Sequence, residues 1–139
     1  MIKIIACGKL KEKWMKEGIA EYIKRIRPYD KIEVIEVLDE KAPETNSAAE
    51  NEQVKIVEGQ RLLKNVRDDE YLILLDLAGQ DIDSVALANK IQDCYNHARS
   101  RITFVIGGSL GLSSELIARA DFRWRISKAT FPHQLCRIL

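Results

Sequence analysis

Ile102-Thr103-Phe104-Val105-Ile106-Gly107-Gly108-Ser109-Leu110-Gly111-Leu112 is the stretch from which the fold can be read. Five apolar or β-branched residues run without alternation, the pattern of a strand buried on both faces of a parallel sheet. Three glycines within five positions then break the run. Glycine accepts positive φ and carries no Cβ, so the backbone can turn sharply here and let a ligand come close. Ser113, Ser114 and Glu115, followed by Leu116-Ile117, read as the capped start of a helix. Strand, glycine turn and helix in that order form the mouth of many α/β ligand sites. The same order also fits a tight turn that binds nothing.

The flanking chain repeats the alternation. Ile2 to Cys7 predicts a first strand ended by Gly8. Lys9 to Arg25 follows a helical pattern, with Leu10, Trp14, Ile19, Tyr22, Ile23 and Ile26 on one face. Lys9, Lys11, Lys13 and Lys16 lie on its exposed side, as a solvated face or as phosphate ligands. Pro28 stops this helix, and Lys31 to Leu38 alternates as a second strand. Asp39 to Asn46 is a polar loop long enough to cover a site. Ser47 and Glu50 form a capping box, opening a helix to about Asn65 with Val54, Ile56, Val57, Leu62 and Leu63 inward. Glu70 to Leu75 is a third, central strand that leaves through Asp76-Leu77-Ala78-Gly79. Asp83 or Ser84 starts the next helix, ending near Arg99. Past the glycine turn come a short helix from Ser113 to about Ala120, a strand from Phe122 to Ile126, a loop from Ser127 to Phe131, and a helix from Pro132 to Leu139. This predicts one α/β domain over residues 1–139, with a mostly parallel sheet and helices on both faces. The last helix reads as incomplete, because no stop signal follows Leu139.

The 139 residues are 46% apolar and 31% charged, ordinary for a globular domain able to bury a core. A net charge of +1 neither demands nor forbids a polyanionic partner. Cys7, Cys94 and Cys136 are scattered and odd in number, which predicts reduced core thiols rather than disulfides or metal ligands. Met1 to Ala6 is too short and too soon charged for a signal peptide, and no apolar run reaches membrane-spanning length. A cytoplasmic protein is expected.

Three loops leave the carboxyl ends of central strands: Leu75 to Gly79, Gly107 to Gly111 and Ile126 to Phe131. Ligands gather outside such ends in open parallel sheets. The GxGxxG fingerprint is missing after the first strand, and no GK[ST] follows a glycine loop. His97 and His133 have no partners at metal-ligand spacing, so no metal site is predicted. Ser109 is off the GxSxG register, and a hydrolase would need it joined to His133 and Asp76 or Asp121. His133 is a weak candidate general base, set against a structural role. Asp76 could bind a ligand hydroxyl or cap its own turn. Arg119, Arg123, Arg125, Lys128 and Arg137 cluster near the third loop, which suggests a phosphate-bearing substrate. Trp124 among them could stack on a base or pack inside.

Val105-Ile106-Gly107-Gly108-Ser109-Leu110-Gly111-Leu112 and Ser127-Lys128-Ala129-Thr130-Phe131-Pro132-His133-Gln134 are specific when taken together. With Gly8-Lys9-Leu10-Lys11-Glu12 and Asp39-Glu40-Lys41-Ala42-Pro43, they resemble the RlmH (YbeA-like) family of SPOUT-class methyltransferases, along the whole chain and in order. The resemblance implies a trefoil-knotted α/β domain, a homodimer, and S-adenosylmethionine-dependent methylation of N3 of a pseudouridine in 23S ribosomal RNA, with the assembled ribosome as the expected partner. It implies a cofactor held by backbone groups at Leu75, Gly107, Ile126, Ser127, Lys128, Ala129, Thr130 and Phe131. RNA phosphates are then expected at Arg119, Arg123, Arg125 and Lys128. Two departures stand out. Ala129 replaces a larger family residue, and the family's last helix and its Tyr, His and Lys tail extend past the point where this sequence stops. The alternative expectation is a non-catalytic RNA- or ribosome-binding domain of the same fold.

Overall fold

A computed structural model describes residues 1–40 and 47–139. The strands are β1 (Ile2–Cys7), β2 (Ile32–Val37), β3 (Tyr71–Asp81), β4 (Ile102–Ile106) and β5 (Phe122–Arg125). The helices are α1 (Lys13–Ile26), α2 (Ala48–Leu63), α3 (Ser84–Asn96), α4 (Ser114–Arg119) and α5 (His133–Cys136). The strands form one sheet in the order β2-β1-β4-β3-β5, every neighbouring pair parallel. The α/β reading from the sequence is what the chain adopts.

β4 lies between β1 and β3, with Ala6 opposite Ile106 and Leu74 opposite Val105. Its unbroken apolar run follows from that place, since both of its faces are covered. Along β3, successive side chains point to opposite faces. Leu72 and Leu74 accordingly join Ile5, Val105, Leu62 of α2 and Leu116 of α4 in one core. Ile73 faces the other way, with Ile102, Cys94 of α3, Phe104 and Trp124. Helices therefore cover both faces.

A buried ionic group holds the amino edge of the sheet. Glu70 is fully buried; its Oε1 accepts from Lys3 Nζ at 2.7 Å and its Oε2 from Thr103 Oγ1 at 2.6 Å. Burial alone would push the Glu70 carboxyl up, but the Lys3 ammonium and the Thr103 hydroxyl hold it below its ordinary range.

Four elements differ from the sequence expectation. α1 begins at Lys13 rather than Lys9, because Gly8 sits at φ +86° and Leu10 N–H donates to Glu36 Oε2, keeping the chain out of the helix. None of its residues is buried: Trp14 and Tyr22, read as inward, are 56% and 48% exposed. In α2, Ser47 Oγ accepts from Glu50 N–H as expected, but the buried stripe is Val54, Glu58, Gly59 and Leu62, with Ile56 at the surface. β3 runs on to Asp81 instead of ending at Leu75. Its register shifts between Leu75 and Gln80, both opposite Trp124. α5 is short, His133–Cys136. The loop expected at Asp39 to Asn46 lies, from 41 to 46, outside the described residues.

Candidate active site

Because all five strands are parallel, their carboxyl ends share one edge, where the exits of β4 and β5 open beside the irregular stretch of β3 that follows Leu75. They line a single cleft of about 780 Å³, within the range of small-molecule sites. Leu75 to Ala78 form one wall, Ile106 to Ser109 with Gly111 and Leu112 the second, and Arg123 to Ser127 with Ala129 to Phe131 the third. Ile117 of α4 and Pro132, His133 and Cys136 at α5 complete the lining. Of the residues expected to hold a cofactor, Leu75, Gly107, Ile126, Ser127, Ala129, Thr130 and Phe131 all meet here. Lys128 belongs to the same loop, but its side chain is exposed and not part of the lining.

The glycine turn has its shape because nothing larger fits. Gly111 sits at φ +104°, in the left-handed region, and its N–H donates to Gly108 O at 3.2 Å. A Cβ on Gly108 would lie 2.7 and 3.0 Å from the two Glu58 carboxylate oxygens. Glu58 was not singled out from the sequence. It is 5% exposed, and its Oε2 accepts from Cys7 Sγ at 3.3 Å and from Glu40 N–H at 3.1 Å. One carboxylate thus ties the ends of β1 and β2 to the back of the glycine turn. Burial, followed by the adjacent Glu58 carboxylate, pushes the Cys7 thiol up to about 12, so it stays protonated at neutral pH and is a structural group. The missed signal was Glu58 itself, a charged residue four positions from Val54 and from Leu62 on the inward stripe.

α5 is held against the cleft by Arg137. This side chain is buried, donating from Nη1 to Gly8 O at 3.0 Å and from Nη2 to Glu36 Oε2 at 2.6 Å. Burial would raise Glu36, but the Arg137 guanidinium and the Leu10 N–H bring it below its ordinary range. Trp124 packs into the core, with its ring 6.4 Å from that of Phe104, and also lines the cleft. Its Nε1 is buried and finds no acceptor among the described residues. Asp76 caps its own turn, Oδ1 accepting from Ala78 N–H at 2.9 Å, and pairs through Oδ2 with Arg123 Nε at 2.6 Å.

The arginines expected to hold phosphate are not one patch. Arg123 and Arg125 line the cleft, but Arg123 is paired with Asp76, and Arg125 grips Asp81 with two bonds of 2.6 and 2.5 Å. Arg119 lies at the opposite edge of the sheet, donating to Arg67 O and Glu70 O and pairing with Asp121. It ends α4, just before β5, where the chain has already returned to the amino edge. His133 lines the cleft, but among the described residues neither Asp76 nor Asp121 bonds to it, and the arrangement of a hydrolase triad is not formed.

The family model described as "Predicted SPOUT methyltransferase" matches residues 1–139. Over 138 residues the chain is 51% identical to Ribosomal RNA large subunit methyltransferase H of Alkaliphilus oremlandii, a match spanning 99% of this chain and 87% of that protein. It is 48% identical to the protein of that name in Carboxydothermus hydrogenoformans, with the same coverage. The counterpart in Desulfitobacterium hafniense is 47% identical over 99% of this chain and 86% of its own length.

Proposed function

The chain belongs to the SPOUT methyltransferase family and is a methyltransferase, and from that membership we propose that its acceptor is large-subunit ribosomal RNA, methylated at N3 of a 23S pseudouridine, with S-adenosylmethionine as the donor. The observation that carries this reading is the convergence of the β4 and β5 exits with the Leu75 to Ala78 stretch of β3 on one cleft. The cleft suits such a donor. Its walls at Ile106, Leu112, Ile117 and Trp124 are apolar, its glycine turn leaves the backbone bare, and the Trp124 N–H lacks an acceptor. Leu75, Gly107 and residues Ile126, Ser127, Lys128, Ala129, Thr130 and Phe131 would hold it, mostly through main-chain groups.

When bound, S-adenosylmethionine supplies an electrophilic methyl group on a sulfonium. The rest is the protein's part. The three segments hold the reactants side by side, which can remove several kcal/mol of the barrier. The apolar walls keep water from the reacting face. His133, on the cleft wall, is the chain's candidate to accept the N3 proton of the base. Arg123, Arg125 and Lys128 flank the mouth where RNA would enter. A homodimer belongs to the same proposal, supported by the unburied apolar stripe of α1 with Trp14 and Tyr22. So do the trefoil knot and a cytoplasmic location beside the ribosome. No helix among the described residues is long and apolar enough to cross a membrane.

The test is transfer of label from tritiated S-adenosylmethionine to intact ribosomes and to a 23S rRNA transcript. Label at a pseudouridine of 23S rRNA is the expected result. RNA binding without transfer on either substrate would overturn the catalytic reading in favour of a binding module.

A further inference from the structure

The rRNA substrate proposed above needs positive charge beside the cleft, and the rim arginines supply little of it. Asp76 offsets Arg123, Asp81 offsets Arg125, and Arg119 is spent at the far edge. More exposed cations sit elsewhere. β1 leaves the sheet at the same carboxyl edge, directly beside β4, with Ala6 opposite Ile106. Its exit is Gly8-Lys9-Leu10-Lys11-Glu12, leading into α1. Gly8 O takes Arg137 Nη1, one residue from Cys136 on the cleft wall, so this turn abuts the cleft. Leu10 is buried and anchored to Glu36 through its N–H, which fixes the turn. Lys9, Lys11 and Lys16 are exposed and make no ion pair within 4 Å among the described residues, although Lys9 helps to draw the Glu36 carboxyl down, whereas Lys13 meets Glu17 at 3.7 Å.

Resting on the rRNA reading, we infer that the β1 exit, with Lys9, Lys11 and Lys16, is an RNA-docking surface that holds phosphates of the strand presenting the target base. The sheet order places this surface on one side of the cleft and Lys128, on the β5 exit, on the other. A strand lying across the carboxyl edge would meet lysines on both sides of the donor site. The fit is one of charge to phosphate, which positions a strand without reading its sequence.

The experiment measures binding to intact ribosomes and to a 23S rRNA transcript over a range of salt concentrations. Lys9→Gln/Lys11→Gln/Lys16→Gln should weaken binding at least tenfold and lower the salt slope by about 2, since each single-strand phosphate contact contributes roughly 0.7. Its affinity for S-adenosylmethionine should not change, and arginine at the same three positions should retain binding. Lys31→Gln/Lys64→Gln, at the amino edge, should behave as wild type. Unchanged affinity and slope in the triple glutamine variant would overturn the docking surface and leave the rRNA reading standing. A wild type that binds neither probe would overturn that reading and the surface with it.

Discussion

Lys3→Met should destabilise the protein by about 3–5 kcal/mol at neutral pH, because it leaves the Glu70 carboxylate buried without its cation. Glu70 is fully enclosed, Lys3 Nζ lies 2.7 Å from it, and no cation would replace it, leaving the Thr103 hydroxyl and the Arg67 backbone N–H as neutral partners. The pH dependence has a definite sign. In the wild type the Glu70 carboxyl is held below its ordinary range. Its contribution is therefore present above the unfolded value, near 4.3, and is lost as the pH falls through the lower folded value. Without Lys3, burial raises the same group, so the penalty grows with pH and shrinks once Glu70 takes a proton. Urea unfolding of both proteins at pH 7 and near pH 4 should show the gap narrowing in acid. A gap below about 1 kcal/mol at pH 7 would mean that the pair contributes no more than an exposed one.

Gly108→Ala should weaken binding of S-adenosylmethionine about tenfold to a hundredfold. The added Cβ would stand 2.7 Å from a Glu58 oxygen. That carboxylate cannot swing away freely, because Cys7 and the Glu40 N–H hold it inside. Relieving such overpacking costs about 1–3 kcal/mol, and every 1.4 kcal/mol that falls on the donor-ready turn is tenfold in affinity. Glu58→Ala/Gly108→Ala restores the space and should recover part of the affinity that the single glycine variant loses. Donor affinity of Gly108→Ala within twofold of wild type would show that the turn is not shaped by Glu58.

The sequence carried most of the strand pattern, because burial on two faces writes itself as an unbroken apolar run. β1 and β4 fall where Ile2 to Cys7 and Ile102 to Ile106 were read, and Ser47, Asp83 and Ser113 cap their helices. The β4 and β5 loops at the cleft were legible for a related reason, since parallel strands share one exit edge, whereas Leu75 to Gly79, expected as a loop, is part of β3. What escaped were pairings between distant parts of the chain. Arg119, Arg123 and Arg125 look alike in sequence, yet the chain crosses the sheet between the first and the others, and acids from β3 meet the latter two. The extension of β3 to Asp81 depends on Trp124 lying opposite both Leu75 and Gln80, 49 and 44 residues away, across the shift in register. Likewise the apolar stripe of α1 was visible, but whether it is buried depends on what lies against it, which periodicity does not encode.

The central claim is that Leu75, Gly107 and the loop 126–131 form one socket for the methyl donor, and amide NMR during titration with S-adenosylmethionine tests it most directly. The account predicts that the N–H signals of Leu75, Gly107 and Thr130 shift together along one saturable curve, while those of Lys31 and Lys64 at the amino edge stay still. Saturable binding that moves only one of the three segments, or moves residues away from the carboxyl edge, would contradict it.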